Sequence, residues 1–299
     1  MTPDSPHYPR NRLSAFFSLS SLILSLALLG GCTNYFFYPM KEWRQTPGDY
    51  GYAFDNIMLP MRDGVALNLW YMPKRNDRLK GSVLFFHGNA ENISTHVNSV
   101  YWLTDAGFDV YLLDYRGYGK SQGVAEINAV IGDIAEVSQW FISRTDEDKY
   151  RVVLGQSMGA AMSGYVMSTR SDIASKMSLV LLESGFANYS QVARDVLGQI
   201  WLTWAIQYPL SWTISGQYNL EDVIAGISPT PLLLLHGVND PVVPIEHAHQ
   251  LMQSAKEPKR LMTYSGGHIA AFSNKDNRKI VVDYIEALPV RMAEVDEPQ

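Results

Sequence analysis

The chain has 299 residues, 46% hydrophobic and 18% charged, enough for one large domain or two small ones with a substantial core. A net charge of −6, with no lysine- or arginine-rich run, argues against a nucleic-acid partner, which needs a concentrated basic face. The single cysteine, Cys32, excludes an intramolecular disulfide and a cysteine-based zinc site.

Residues 1–31 read as an address. A polar stretch ending in Arg10 and Arg12 precedes an apolar run, Leu13–Leu29, and then the small pair Gly30-Gly31. That order is the order of a secretory signal peptide. The alternative, an uncleaved anchor, has only about seventeen apolar residues for a bilayer core of about 30 Å. The sole cysteine directly after the small pair resembles a bacterial lipobox, which implies lipidation of Cys32, a membrane partner and a cell-envelope location. Thr33 is not the aspartate linked to inner-membrane retention, which points to the outer membrane in a two-membrane cell. Residues 32–50 then read as a tether.

Beyond the tether, strands and helices alternate. Tyr52–Leu59 and Val65–Met72 read as paired strands around Arg62-Asp63-Gly64. Gly81–Phe86 is a short apolar strand, and Asn92–Ala106 has apolar residues near helical spacing. Asp109–Asp114 (strand), Ala125–Ile142 (helix), Arg151–Gly155 (strand) and Met158–Met167 (helix) continue the pattern. Met177–Glu183 and Pro231–His236 read as strands; Ile245–Ala255, Arg260–Tyr264 and Asn277–Leu288 as helix, strand and helix. Buried strands alternating with helices predict an α/β fold: a mostly parallel sheet covered on both faces, with ligands at the carboxyl ends of the strands.

Those strand ends carry the chemistry. Gly155-Gln156-Ser157-Met158-Gly159 follows a strand and opens a helix, the context in which G-x-S-x-G makes a tight turn that lifts a serine hydroxyl above the sheet. A serine hydroxyl needs a base. Of seven histidines, His7 lies in the signal segment, His96 sits in the first helix, and His247 and His249 lie off the apolar stripe of a late helix and read as solvated. His87 and His236 each end a strand, and His268 follows Ser265-Gly266-Gly267, a loop that can place a ring freely. The base must be held by an acid, for which Asp240 and Glu183 both stand at strand ends. Donors for a developing oxyanion would be the amide of Met158 and, from His87-Gly88-Asn89-Ala90, the amide of Asn89.

Together, His87-Gly88-Asn89-Ala90, Asp114-Tyr115-Arg116-Gly117-Tyr118-Gly119, Gly155–Gly159, His236-Gly237-Val238-Asn239-Asp240 and Gly267-His268 resemble the α/β-hydrolase superfamily across about Gly81–Leu288. The resemblance is nearest to small membrane-associated serine hydrolases: depalmitoylases, lysophospholipid lipases and serine-aminopeptidase-like proteins. It implies the order nucleophile, acid, histidine, and catalytic roles for Ser157, Asp240 and His268. It also implies a structural loop at Asp114 and Arg116, read here as a buried ion pair. The hydrolase domain spans 51–290, with a small helical cap at about 186–227 and a tail at 291–299. The cap holds Trp201, Trp204, Tyr208, Trp212 and Tyr218, which either pack it on the sheet or line an acyl pocket. The expected activity is hydrolysis of a carboxylic ester or thioester, with no metal and no organic cofactor. A peptidase or amidase with the same residues, or a silent envelope binding protein, is the alternative.

Overall fold

The computed structural model describes residues 37–199 and 207–289. Eight strands form one sheet in the order β1-β2-β4-β3-β5-β6-β7-β8. They are β1 Asp55–Pro60, β2 Ala66–Met72, β3 Gly81–Phe86, β4 Phe108–Leu113, β5 Tyr150–Gln156, β6 Leu179–Glu183, β7 Leu232–Gly237 and β8 Lys259–Tyr264. β2 pairs antiparallel with β1 and β4, and the remaining pairings are parallel. Every residue of β3, β6 and β7 is buried. That is why these segments read as continuous apolar runs rather than alternating ones.

Two core clusters flank the sheet. One joins Leu84, Phe86 and Val153 to the helices Ile127–Arg144 and Met158–Thr169; the other joins Phe85, Leu154 and Leu181 to Trp102 and to helix Lys275–Glu286. Successive strand residues therefore point into opposite layers. The parallel register brings the ends of β3, β5 and β7 to the same edge.

Four details differ from expectation. The stretch Asn92–Ala106 is not one helix but three short turns, Ile93–His96, Val97–Ser99 and Trp102–Asp105. Its Ser, Thr, Asn and Val residues are weak helix formers, and the Asn92 side chain caps only the first turn. Arg116 does not pair with Asp114; it bonds Asp133 (2.6 Å) and Asp63 (3.0 Å) instead. His247 is buried, not solvated: Nδ1 accepts the Ala187 N–H (3.2 Å) and Nε2 donates to Asp195 (3.0 Å). Burial depresses the pKa of this ring, with Asp195 acting against the shift. Finally, Phe37–Tyr50, read as tether, packs on the domain through Phe37, Pro47 and Trp43. The signal segment, Cys32, Trp201, Trp204 and the tail 291–299 lie outside the described residues. Among the described residues no helix is long and apolar enough to cross a membrane.

Candidate active site

The turn between β5 and helix Met158–Thr169 holds Ser157 at φ 53°, ψ −118°, a backbone that L-residues rarely adopt. Its neighbours explain how. A Cβ on Gly155 would lie 2.6 Å from Ala160 Cα, and one on Gly159 would lie 2.2 Å from the Phe86 carbonyl oxygen. The Ser157 N–H is held by the Glu183 carbonyl (2.9 Å), and the Ser157 carbonyl accepts from Ala161 (3.1 Å). Gly155 thus lets the strand fold back onto its own helix, and Gly159 lets the elbow press onto the end of β3.

From this elbow, three side chains line up. Ser157 Oγ lies 2.9 Å from His268 Nε2, and His268 Nδ1 lies 2.8 Å from Asp240 Oδ2. With Asp240 ionised, Nδ1 carries the proton and Nε2 is free to accept the serine proton. The other oxygen, Asp240 Oδ1, accepts the amides of Val242 and Val243, both at 2.9 Å. Burial acts to raise the Asp240 pKa, but the His268 hydrogen bond and charge and the two amides outweigh it, so the carboxyl sits below its ordinary range. Ser157 and Asp240 are buried, and the His268 side chain keeps 19% exposure at the mouth.

Glu183, the other acid at a strand end, makes no hydrogen bond to His268. It is fully buried and satisfied from three sides: Gln156 Nε2 (2.6 Å), the Tyr264 hydroxyl (3.1 Å) and the Ala271 amide (2.8 Å). Burial raises its pKa, opposed by those three donors. It ties β5, β6 and β8 together beneath the site. Sequence reading missed this role because its partners come from distant segments. His236 is likewise internal, with Nε2 donating to the Val243 carbonyl at 2.8 Å.

The loop after β3 closes the other side. A Cβ on Gly88 would sit 3.4 Å from Ser157 Cβ, so the loop backbone runs against the nucleophile. Asn89 Oδ1 accepts the Ala90 N–H (2.7 Å), and Ala90 and Glu91 stand at φ 61° and 58°. Each such residue costs about 1–3 kcal/mol, so the loop must be held from outside. Beneath it His87 is fully buried, its Nδ1 donating to the Gly88 carbonyl (2.7 Å). Its Nε2 faces Asp114 Oδ1 at 3.7 Å, and burial pushes the Asp114 carboxyl up to about 7. Among the described residues, no three His, Cys, Asp or Glu side chains gather in a way that could hold a metal ion.

A family model described as "Serine aminopeptidase, S33" matches residues 77–224, and one described as "TAP-like protein" matches 202–293. YfhR of Escherichia coli K12 is 34% identical over 261 residues, 84% of this chain and 86% of that protein. The chain belongs to the α/β-hydrolase superfamily, in one family with YfhR. The α/β hydrolase domain-containing protein WAV2 of Arabidopsis thaliana is 29% identical over 72% of this chain and 71% of its own length. Among solved structures, the Pyrococcus furiosus esterase Pf2001 shares the fold at a TM-score of 0.66, with 19% identity over 84% of this chain and 97% of that one. The hydrolase thus has the mostly parallel sheet and flanking helices of its superfamily.

Proposed function

We propose that this hydrolase cleaves a carboxylic ester or thioester through an acyl-enzyme on Ser157. The observation that carries the reading is the unbroken line from Ser157 Oγ through His268 to Asp240. His268 Nε2 takes the serine proton as Oγ bonds to the substrate carbonyl carbon, and Asp240 stabilises the imidazolium. The amides of Met158 and Asn89 receive the oxyanion. The imidazolium then protonates the departing alcohol or thiol as its bond to the acyl carbon breaks. Water, deprotonated by the same ring, releases the carboxylic acid.

Pf2001, acetyl xylan esterase 1 from Thermoanaerobacterium and an esterase domain from Rhodothermus marinus are among the structural neighbours, and this favours an ester over an amide. A fluorophosphonate probe is expected to label the wild type and not Ser157→Ala; equal labelling of both removes the nucleophile assignment. The family model described as a serine aminopeptidase keeps a second reading, peptide cleavage. Aminoacyl p-nitroanilides turned over faster than p-nitrophenyl esters would favour it.

The acyl group is proposed to be apolar and medium or long, with the enzyme lipid-anchored through Cys32 in a bacterial envelope. Tyr208 and Trp212 of the cap are 56% and 74% exposed, and an anchor at Cys32, a few residues before the packed Phe37, would hold the domain near lipid. Tyr218, by contrast, bonds Asn128 (2.6 Å) and packs on Tyr165, so it fastens the cap. Each buried methylene contributes about 0.8 kcal/mol, so two more carbons in a fitting pocket raise kcat/KM about tenfold. A p-nitrophenyl ester series from acetate to decanoate measures this; a steady decline beyond butyrate defeats the acyl preference alone.

A further inference from the structure

Seven residues outside the sheet, Tyr38–Arg44, run across the carboxyl ends of β3 and β4. On one edge they lace onto the loop after β3. Pro39 bridges Glu91, and the N–H groups of Tyr38 and Met40 donate to Asn89 Oδ1 and to the Glu91 carbonyl, each at 3.1 Å. In return, the buried Asn92 Nδ2 donates to the carbonyls of Met40 (3.0 Å) and Glu42 (2.8 Å), and the Arg44 N–H reaches Ser94 Oγ (2.9 Å). On the other edge the Met40 carbonyl accepts from Gly119 (2.9 Å), and Lys41 Nζ donates to the Ser121 carbonyl (3.0 Å). Trp43 pins the end by packing edge-on against Trp70 at 4.8 Å.

The loop so held has two successive non-glycine residues, Ala90 and Glu91, in the left-handed region. Left to itself such a backbone relaxes. Its centre is the Asn89 side chain, whose Oδ1 also accepts the Tyr118 hydroxyl (3.1 Å). The Asn89 N–H lies in the Gly88–Asn89 peptide, whose carbonyl is held by His87 Nδ1; the strap fixes the Asn89 side chain and the peptide after it, and so holds the residue that carries this donor. An oxyanion donor acts only when it sits about 2.7–3.1 Å from the place where charge develops. A small rotation of the loop would therefore be felt in the transition state and not in substrate binding.

We propose that the Tyr38–Arg44 strap is a positioning element for the Asn89 amide donor, with Tyr38 and Asn92 as its points of purchase. This rests on the oxyanion role given to Asn89 above. Tyr38→Pro in the full chain deletes one N–H while changing a side chain that is 65% exposed. Asn92→Ser keeps a helix-capping oxygen and removes the two donors to the strap. Active sites are titrated to completion with a fluorophosphonate, and kcat per titrated site and KM are measured on p-nitrophenyl butyrate, with Tm alongside.

Both variants are expected to lose about tenfold in kcat per site with KM within about twofold, a partial displacement beside the 10²–10³-fold loss of a donor removed outright. Wild-type kcat per site overturns the proposal, as does a loss that shows only as fewer titratable sites or a lower Tm. If Asn92→Ser does not accumulate as folded protein, Tyr38→Pro decides alone. Persistent turnover in Ser157→Ala is a different failure: it removes the hydrolytic reading on which the strap's role rests.

Discussion

Gly159→Ala tests whether the elbow and the loop after β3 act as one rigid unit. The new Cβ would lie 2.2 Å from the Phe86 carbonyl oxygen and 2.4 Å from that of His87, both backbone atoms that cannot swing aside. To reach even the shortest tolerated contact, the Phe86 oxygen must retreat by about 0.8 Å. Alanine gains about 1 kcal/mol over glycine in a helix, but forced overpacking costs about 1–3 kcal/mol, so a modest net loss of stability is expected. The catalytic effect should be larger. A misplacement of about 1 Å in a catalytic constellation costs about 10²-fold, or roughly 2.7 kcal/mol in the barrier. The displacement separates Asn89 from Met158, while His268 and Asp240 sit on the far side of Ser157. Stopped-flow ester hydrolysis should therefore show kcat down about a hundredfold, with the residual activity keeping the wild-type pH profile. Wild-type kcat in a folded Gly159→Ala protein would refute the view that close packing of elbow and loop sets the oxyanion geometry.

Two other expectations follow from the site and one from the sequence around Cys32. Asp240→Asn should lower kcat by about 10⁴-fold through loss of the right imidazole tautomer, whereas Glu183→Gln should act mainly on Tm; the reverse ranking in matched assays would reassign the acid. Asp114 has its folded-state carboxyl raised to about 7, against about 3.9 unfolded, so its burial costs nothing below pH 4 and progressively more as pH rises toward 7. Asp114→Asn should therefore flatten the fall in stability across that window, read from urea melts at pH 4.5 and 7.5; parallel profiles for the two proteins would exclude this carboxyl as the source. Cys32→Ala should abolish lipid labelling and leave unprocessed precursor, and labelled protein persisting in that variant would remove the anchor.

Much of the fold was legible because its signals are local. The runs Gly81–Phe86 and Leu232–Gly237 show no polar alternation, with Ser82 and His236 as their polar side chains, because both faces of their strands are covered, and the end of each run marks a strand end within a residue or two. Ser157 was legible for a similar reason: the glycines at 155 and 159 are demanded by contacts within a turn of the chain or with the strand beside it. His247 was misread by the same logic. An apolar stripe at Ala248 and Leu251 locates a buried face, but a histidine next to it is buried only because Asp195 and the Ala187 amide arrive from 50 to 60 residues away. Asp114 and Arg116 fail likewise. Two residues apart and opposite in charge, they invite pairing, yet the partners of Arg116 are Asp133 in the next helix and Asp63 in the β1–β2 turn.

The same distinction separates Asp240 from Glu183. Both are acids at strand ends, both are buried, and both lie between Ser157 and His268 in the chain. What differs is how their oxygens are spent. Glu183 has three donors from β5, β8 and the Ala271 turn, and its pKa is raised, so it is a carboxyl whose charge is a burden to its surroundings. Asp240 gives one oxygen to the amides of its own loop and presents the other to His268, and its pKa is lowered. An acid that must stabilise an imidazolium has to remain an anion with one oxygen directed at the ring, and Asp240 alone of the two meets that demand. The Asp240 loop supplies those amides locally, through Val242 and Val243, whereas the sequence pointed to Asp240 by its strand end, its place before His268 and the family resemblance. The bonds of Glu183 cross the sheet and leave no mark in the sequence.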